Sequence, residues 1–436
     1  MTGPVALALL PRSTTIDAHG SLAIGGCDLA SLASEFGTPL FVYDEAEIRE
    51  RCHEYSTSFR GSVAYASKAF LCKAMVEIIN GQGLDLDVAS GGELHTALAA
   101  GMPAARIVMH GNNKSTDELR SALLHGLKHI VVDSDHELDR IDHLVRVERL
   151  DPPSVLVRVN PGVDAHTHEY LATGAVDSKF GFAMIDGVVL NAVRRVVRDG
   201  TARFAGLHVH IGSQIFVRDG FTAAIDKLVA LIAHIERETG VTVDELNLGG
   251  GLGVRYTMAD EPPNIAEHAA LIQEDLGAAL AAVGARSHPM LATEPGRSIV
   301  ATAGVTVYRV GTIKRVPGIR TYISVDGGMS DNARPALYDA QYEAFVPTRA
   351  SANRDAVATI AGKHCEQGDL LIRDAQVPSD VAVGDLLCTP CTGAYGYAMA
   401  SNYNKVPRPA VVFVRNGQAR LVVRRETFDD LGRLDL

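Results

Sequence analysis

Eight times between residues 62 and 294, a short apolar, β-branched run is followed by a stretch with helical periodicity. The runs are SVAYAS (62–67), LDLDVA (84–89), RIVMH (106–110), HIVVD (129–133), SVLVRVN (154–160), FAGLHVHI (204–211), VDELNLG (243–249) and PMLATE (289–294). Amphipathic segments such as 91–100, 115–126 and 264–284 lie between them. Strand then helix, repeated eight times, is the pattern of a parallel (β/α)8 or TIM barrel.

A barrel of this kind carries its chemistry at the C-terminal ends of its strands. Reactive residue types fall there repeatedly. Lys68 follows the first strand, Asp87 and Ser90 end the second, and His110 and Asn112 the third. Asn160 ends the fifth, His208 and His210 the sixth, Gly249, Gly250 and Gly251 the seventh, and Glu294 the eighth. Polar residues scattered through a core would not share one end.

From about residue 300 the pattern changes to strands without long helices: GVTVYRV, TYISVD, DLLIRD, AVVFVRN and ARLVVRR. This predicts a second, all-β and mostly antiparallel domain, which LFVYD (40–44) joins from the N-terminal side. The expected division is a barrel over 45–299, inserted between segments 1–44 and 300–436 of the β-domain.

Composition narrows the function. With 47% hydrophobic and 21% charged residues the chain has the make-up of a folded protein. A net charge of -11, with no run of Lys and Arg, argues against nucleic acid as a partner. The N-terminal MTGPVALALLPRS has a six-residue apolar run without a preceding positive charge, too short for a signal peptide or a membrane helix. The expectation is a cytoplasmic enzyme with no membrane partner.

Six cysteines (Cys27, Cys52, Cys72, Cys365, Cys388, Cys391) are too few and too scattered for a disulfide framework. Cys388 and Cys391 form a CxxC without a second pair for zinc or a thioredoxin-like setting, and read as small residues flanking a turn at Pro390. No metal ion is expected. Cys365, in GKHCEQGD (362–369), stands beside Glu366 with no other cysteine near it. Taken alone, a free cysteine is most often a buried apolar filler.

Three features point to one cofactor. Lys68, in YASKAF, follows a strand, where partial burial would lower its pKa and make its amine nucleophilic toward an aldehyde; alone it reads as a surface lysine. LNLGGGLG (246–253) allows the backbone to turn sharply and aim several N–H groups at an anion, yet it is neither GxGxxG nor a P-loop. In TEPGRS (293–298), Glu294 ends a strand where a carboxylate could keep a pyridine nitrogen protonated. A Schiff-base lysine, a phosphate cradle and that carboxylate together describe pyridoxal 5'-phosphate acting as electron sink. His208 and His210 in LHVHIGSQ (207–214) share one face of a strand, so that one imidazole can lie against the cofactor ring.

The motifs YASKAF, DVASGGEL, HGNNKS, HTHEYLATG, KFGF, HVHIGSQ, LGGGLG, EPGRS, VDGGMSDN, RPALY, HCEQGD and GAYGYAMASNYN span nearly the whole chain. In this order they closely resemble those of the diaminopimelate decarboxylases, pyridoxal-phosphate enzymes built like alanine racemase and the eukaryotic ornithine decarboxylases. The resemblance implies that Lys68 carries the cofactor, with Asp87 close by, His210 on the ring and Glu294 at the pyridine nitrogen. Ser213, Gly249, Gly250, Gly251, Pro295, Gly296, Arg297 and Tyr395 would surround its phosphate end. It further implies that Arg297, Arg334, Tyr338, Glu366 and Tyr395 hold the substrate, and that Cys365 is the proton donor, supplied across a homodimer interface. Where the family often has Ser, this chain has Gln367, which leaves thiol and carboxylate intact.

By this resemblance the substrate is meso-diaminopimelate. Its far end carries a carboxylate and an ammonium, matched by Arg334 and Glu366; an ornithine- or arginine-type decarboxylase of the same fold is the alternative. Two further classes are distinguishable. The HxH pairs His166/His168 and His208/His210 resemble those of metal-dependent hydrolases, which carry such a pair on the first barrel strand rather than the sixth. A binding protein derived from the fold would lack the lysine or the cysteine, and both are present.

Overall fold

The computed structural model describes residues 3–163 and 177–436. HTHEYLATG (166–174), with His166 and His168, lies outside the described residues. The chain divides into two compact units: Cys52–Gly253 with Pro262–Gly296, and Met1–Arg51 with Val254–Glu261 and Arg297–Leu436.

The first is a closed parallel barrel. Its strands are Ser62–Ala66, Asp85–Val88, Ile107–Met109, His129–Val132, Ser154–Asn160, Arg203–His208, Glu245–Asn247 and Met290–Thr293. Each pairs in parallel with the next, and the eighth returns to the first through Ala292 opposite Ser62 and Thr293 opposite Val63. A two-residue strand, Phe182–Ala183, also lies beside the fifth. Helices follow the first seven strands, from Lys73–Gly81 to Ile265–Val283. Three of these helices start at a side-chain cap: Ser90, Ser115 and Asn264 accept from backbone N–H groups in the first turn, and Ser115 completes a capping box with Glu118.

At the end of the barrel opposite the expected chemistry, charge replaces apolar packing. Lys128 Nζ lies 2.8 Å from Asp85 and donates to Ser62 Oγ at 2.8 Å, Arg106 reaches Asp85 at 3.3 Å, and His129 Nε2 lies 3.3 Å from Glu245. At the other end, beyond the third and fourth strands, Lys114 and Glu137 form a buried pair at 2.7 Å, and the lysine also donates to the Gly111 and Val131 carbonyls. With its donors shared among three acceptors, the buried ammonium is well compensated.

The second unit is built on a sheet in which Leu370–Val377, Ala356–Ala361, Arg320–Val325, Gly304–Val316, Leu40–Asp44, Ala410–Arg415 and Gln418–Val423 lie side by side, and Leu386–Thr389 pairs with Gly304–Val316. All pairings are antiparallel except Arg320–Val325 with Ala356–Ala361 and Leu40–Asp44 with Ala410–Arg415. The predicted LFVYD strand takes a central place, buried at every residue. Two strands of this sheet escaped the sequence reading: AVATIA, whose alanines weaken the β signal, and Leu386–Thr389, which contains Cys388 and was expected only to flank a turn. The unit is not purely β, since it also holds the helix Leu29–Phe36 and short helices at Arg334–Tyr338 and Phe428–Gly432.

Candidate active site

In the barrel unit the chemistry gathers around Glu294, which directly follows the eighth strand and is 6% exposed. Its Oε1 lies 2.8 Å from His110 Nε2 and accepts from Asn247 Nδ2 at 2.8 Å, while its Oε2 lies 3.0 Å from His208 Nε2. His110 comes just after the third strand, His208 ends the sixth and Asn247 the seventh. Four strand ends therefore converge on one carboxylate. Burial alone would raise its pKa, but the two imidazoles outweigh burial and hold it well below the usual range. Burial pushes His208 down to about 4, so this ring is neutral at pH 7 and donates its Nε2 proton, leaving Nδ1 without a partner among the described residues.

Asp87, at the end of the second strand, lies 3.7 Å from His110 Nε2. Burial raises its pKa to about 6, opposed by His110 and by the Lys68 ammonium. Lys68 sits in a single 3-10 turn, Ser67–Ala69, after the first strand. It is exposed, not partly buried as the sequence suggested. The sixth strand ends at His208, so His210 lies beyond it and does not share a strand face with it. Desolvation and the Lys68 charge keep His210 well below its usual pKa, and hence neutral.

The glycine loop fits backbone against backbone. Gly249 and Gly251 have φ of 66° and 123°, in the region that favours glycine. A Cβ on Gly249 would meet the Val209 carbonyl oxygen, on Gly250 that of Glu294, and on Gly251 that of Gly212. The Gly249 N–H is taken by Asn247 Oδ1 at 2.9 Å. Those of Gly250 and Gly251 meet no protein acceptor among the described residues. Ser213 directly follows Gly212 and is half-buried. Pro295 and Gly296 complete the turn: the Pro295 carbonyl accepts from Ala66 N at 3.0 Å, and Gly296 packs against Ala66 and Ala69.

These residues suit pyridoxal 5'-phosphate. A buried carboxylate held well below the usual range matches a protonated pyridine nitrogen, loop N–H groups of Gly250 and Gly251 match a phosphate, and Lys68 offers the amine. Facing nitrogen and oxygen atoms of His110, His208 and Glu294 lie within 4.8 Å of one another, close enough for a metal ion. The grouping joins His208 to His110 and Glu294, and leaves out His210, its partner in the HxH pair.

The second unit arranges its expected residues around aromatic rings. Arg297 Nη1 donates to Tyr256 Oη at 2.5 Å, and its guanidinium lies 4.8 Å from the Tyr395 ring centroid. Arg334, 4% exposed, stands 4.4 Å over the Tyr256 ring and 5.6 Å from that of Tyr342, and donates to the Tyr342 hydroxyl. No carboxylate among the described residues pairs with it. Tyr338, at the other end of the short helix that Arg334 begins, is half-buried.

Cys365 is exposed, whereas the other five cysteines are buried, so it is not a core filler. Its loop is clamped. Asp369 accepts from His364 N at 2.8 Å and Met329 N at 2.7 Å, Ser330 Oγ lies 2.8 Å from His364 Nε2, and Asn404 Oδ1 accepts from Cys365 N at 3.3 Å. Glu366 is exposed and accepts from Gly368 N at 3.3 Å within the same loop. Cys388 and Cys391 are buried free thiols, and Cys391 adopts φ of 57°.

Sequence reasoning gave no partner role to His110, Asn247, Tyr256, Tyr342 or Asn404. His110 and Asn247 were within reach, since both stand at the C-terminal ends of predicted strands. Tyr256, Tyr342 and Asn404 come from irregular segments that carry no periodic signal.

Residues 45–301 match the family described as pyridoxal-dependent decarboxylase, pyridoxal binding domain. The chain is 49% identical over 423 residues to the diaminopimelate decarboxylase of Bacillus subtilis strain 168, covering 96% of each chain. It is 47% identical to that of Mycobacterium tuberculosis H37Rv, over 98% of this chain and 97% of the relative. Among solved structures, a diaminopimelate decarboxylase from M. jannaschii in complex with L-lysine superposes with a TM-score of 0.90 at 32% identity, covering 98% of both. With agreement over this length, the chain belongs to the diaminopimelate decarboxylases, a family of pyridoxal-dependent decarboxylases.

Proposed function

We infer that this chain removes carbon dioxide from meso-2,6-diaminopimelate and releases L-lysine, the last step of lysine biosynthesis, with pyridoxal 5'-phosphate as its cofactor. The observation that carries the choice of substrate is Arg334, a buried guanidinium between two tyrosine rings with no carboxylate partner among the described residues. A buried cation is costly unless an anion meets it. The far carboxylate of diaminopimelate is such an anion, and ornithine has none.

In this reading the barrel, residues 45–299, binds the cofactor. Lys68 carries it, Asp87 lies close to the lysine nitrogen, and His210 lies against the ring. Glu294 meets the ring nitrogen, while Ser213, Gly249, Gly250, Gly251, Pro295, Gly296, Arg297 and Tyr395 serve the phosphate. The bound group supplies an electron sink for the carbon that loses its carboxylate. Residues 1–44 and 300–436 supply the substrate contacts Arg334, Tyr338, Glu366 and Tyr395, which act beside Arg297, with Glu366 meeting the far ammonium.

Cys365 Sγ then delivers a proton to the same substrate carbon. Its exposure, on a loop fixed by Asp369 and Asn404, suits a thiol offered to a second copy of the chain, and the working form is a homodimer with shared sites. A cytoplasmic setting keeps this thiol reduced.

Carbon dioxide release from the purified, cofactor-loaded protein tests the reading. Turnover of meso-diaminopimelate with stoichiometric lysine, and little with ornithine or arginine, supports it. Equal turnover of ornithine, or none of diaminopimelate, overturns it.

A further inference from the structure

Tyr256 belongs to none of the roles above, yet it touches both arginines assigned to the substrate. It is 6% exposed and sits in a turn tied by Asp260, whose Oδ2 accepts from Tyr256 N at 3.0 Å and Thr257 N at 2.8 Å. Its hydroxyl oxygen accepts a hydrogen bond from Arg297 Nη1 at 2.5 Å, and its ring lies 4.4 Å beneath the Arg334 guanidinium. The Tyr342 ring meets it edge to face at a centroid distance of 5.4 Å, and the Tyr342 hydroxyl receives Arg334. One ring thus touches two cations through different parts of itself, the oxygen toward one and the π face toward the other.

We propose that Tyr256 is a positioning residue that sets selectivity for substrates with a carboxylate at the far end, by holding Arg334 ready through its ring. The inference rests on the reading of Arg334 given above. An arginine side chain has many rotamers, and binding a carboxylate in a fixed fork geometry freezes them. Stacked on Tyr256 and bonded to Tyr342, Arg334 is already frozen before the ligand arrives. The benefit falls on ligands that use Arg334, and it leaves the reacting end of the substrate untouched.

The test measures ligand binding to the holoenzyme by titration calorimetry with two diamines, L-lysine and cadaverine, which differ only in the carboxylate. Tyr256→Leu is expected to weaken lysine by about 5- to 30-fold, the range for a lost stacking contact to a buried cation. Cadaverine should change by less than about 2-fold on the same grounds. Tyr256→Phe keeps the ring and should keep lysine affinity within about 3-fold. In turnover, Tyr256→Leu should raise KM for diaminopimelate more than it lowers kcat. Unchanged lysine affinity, or equal weakening of both diamines, overturns the proposal.

Arg334→Gln separates the two levels. If it weakens lysine while Tyr256→Leu does not, only the role of Tyr256 falls; if it leaves lysine unchanged, the reading of Arg334 falls, and this proposal with it. Should Tyr256→Leu fail to fold, pentafluorophenylalanine at position 256 has the shape of phenylalanine with the ring quadrupole reversed. It must then weaken lysine selectively relative to Tyr256→Phe, and equal affinities refute the proposal.

Discussion

Replacing Arg334 with methionine separates binding from folding. The guanidinium is 4% exposed and its fixed contacts are two tyrosine rings and one hydroxyl, none of them an anion. In the free enzyme its desolvation is therefore only partly offset, and a flexible apolar side chain of similar length fills the same space without that cost. The melting temperature of Arg334→Met should accordingly stay level or rise. Binding should move the other way. A substrate carboxylate left buried and unpaired costs about 2–5 kcal/mol, and with a factor of ten for every 1.4 kcal/mol this becomes roughly a 30- to 4,000-fold rise in KM for diaminopimelate. Carbon dioxide release at graded substrate concentrations, beside thermal unfolding of the same samples, reads both quantities. A variant that melts several degrees lower with KM unchanged would show that Arg334 serves the fold and not the substrate.

Three further outcomes are expected. Lys68→Ala should lose the visible absorbance of the bound cofactor together with nearly all turnover, and retention of both would move the attachment to another amine. Cys365→Ala should keep that absorbance but turn over roughly 10²- to 10⁴-fold more slowly; mixing it with Lys68→Ala should restore up to about a quarter of full activity, because random exchange puts one intact site in half of the dimers. No recovery, with exchange confirmed, would place both residues in one chain's site. Asp331 is buried, and burial with the nearby Asp369 and Asp326 carboxylates raises its pKa to about 7, against the pull of Tyr308 and Gly328 N. The proton it retains stabilises the fold fully below its ordinary value near 4, and this contribution is lost as pH rises through 7. Asp331→Asn should therefore gain stability relative to the parent between pH 4 and 8, by up to about 4 kcal/mol; a pH-independent difference in unfolding would sink the argument.

The barrel was legible because each strand is a dense β-branched run and each helix an amphipathic one. The boundaries differ from those expected by only one or two residues at most strand ends. His210 was misplaced for the same reason: HVHI reads as strand, but the strand ends at His208, and the Val209 N–H makes the last bond to the neighbouring strand, at the Asn247 carbonyl, 2.8 Å away. Glu294 was visible as a strand-end carboxylate. Its three donors were not visible as a set, since they stand 184, 86 and 47 residues away and meet only when the barrel closes. Tyr256 and Arg334 share no local pattern at all. The exposure of Cys365 was equally hidden, because it follows from the turn that Asp369 pins and not from the composition of GKHCEQGD.

The placement of Leu40–Asp44 has a consequence for the nascent chain. Val42 lies between Val305 on one side and Val412 on the other, so this strand leaves the ribosome long before either neighbour exists. At about 5–20 residues per second, roughly 13–52 s pass before residue 305 follows it, and several seconds more before residue 412. In that interval the whole barrel emerges and can close, while LFVYD waits unpaired with an apolar surface and two open edges. The order of translation thus imposes an order of assembly, barrel before sheet. Chaperone demand should be greatest while this one early strand waits for the last part of the chain.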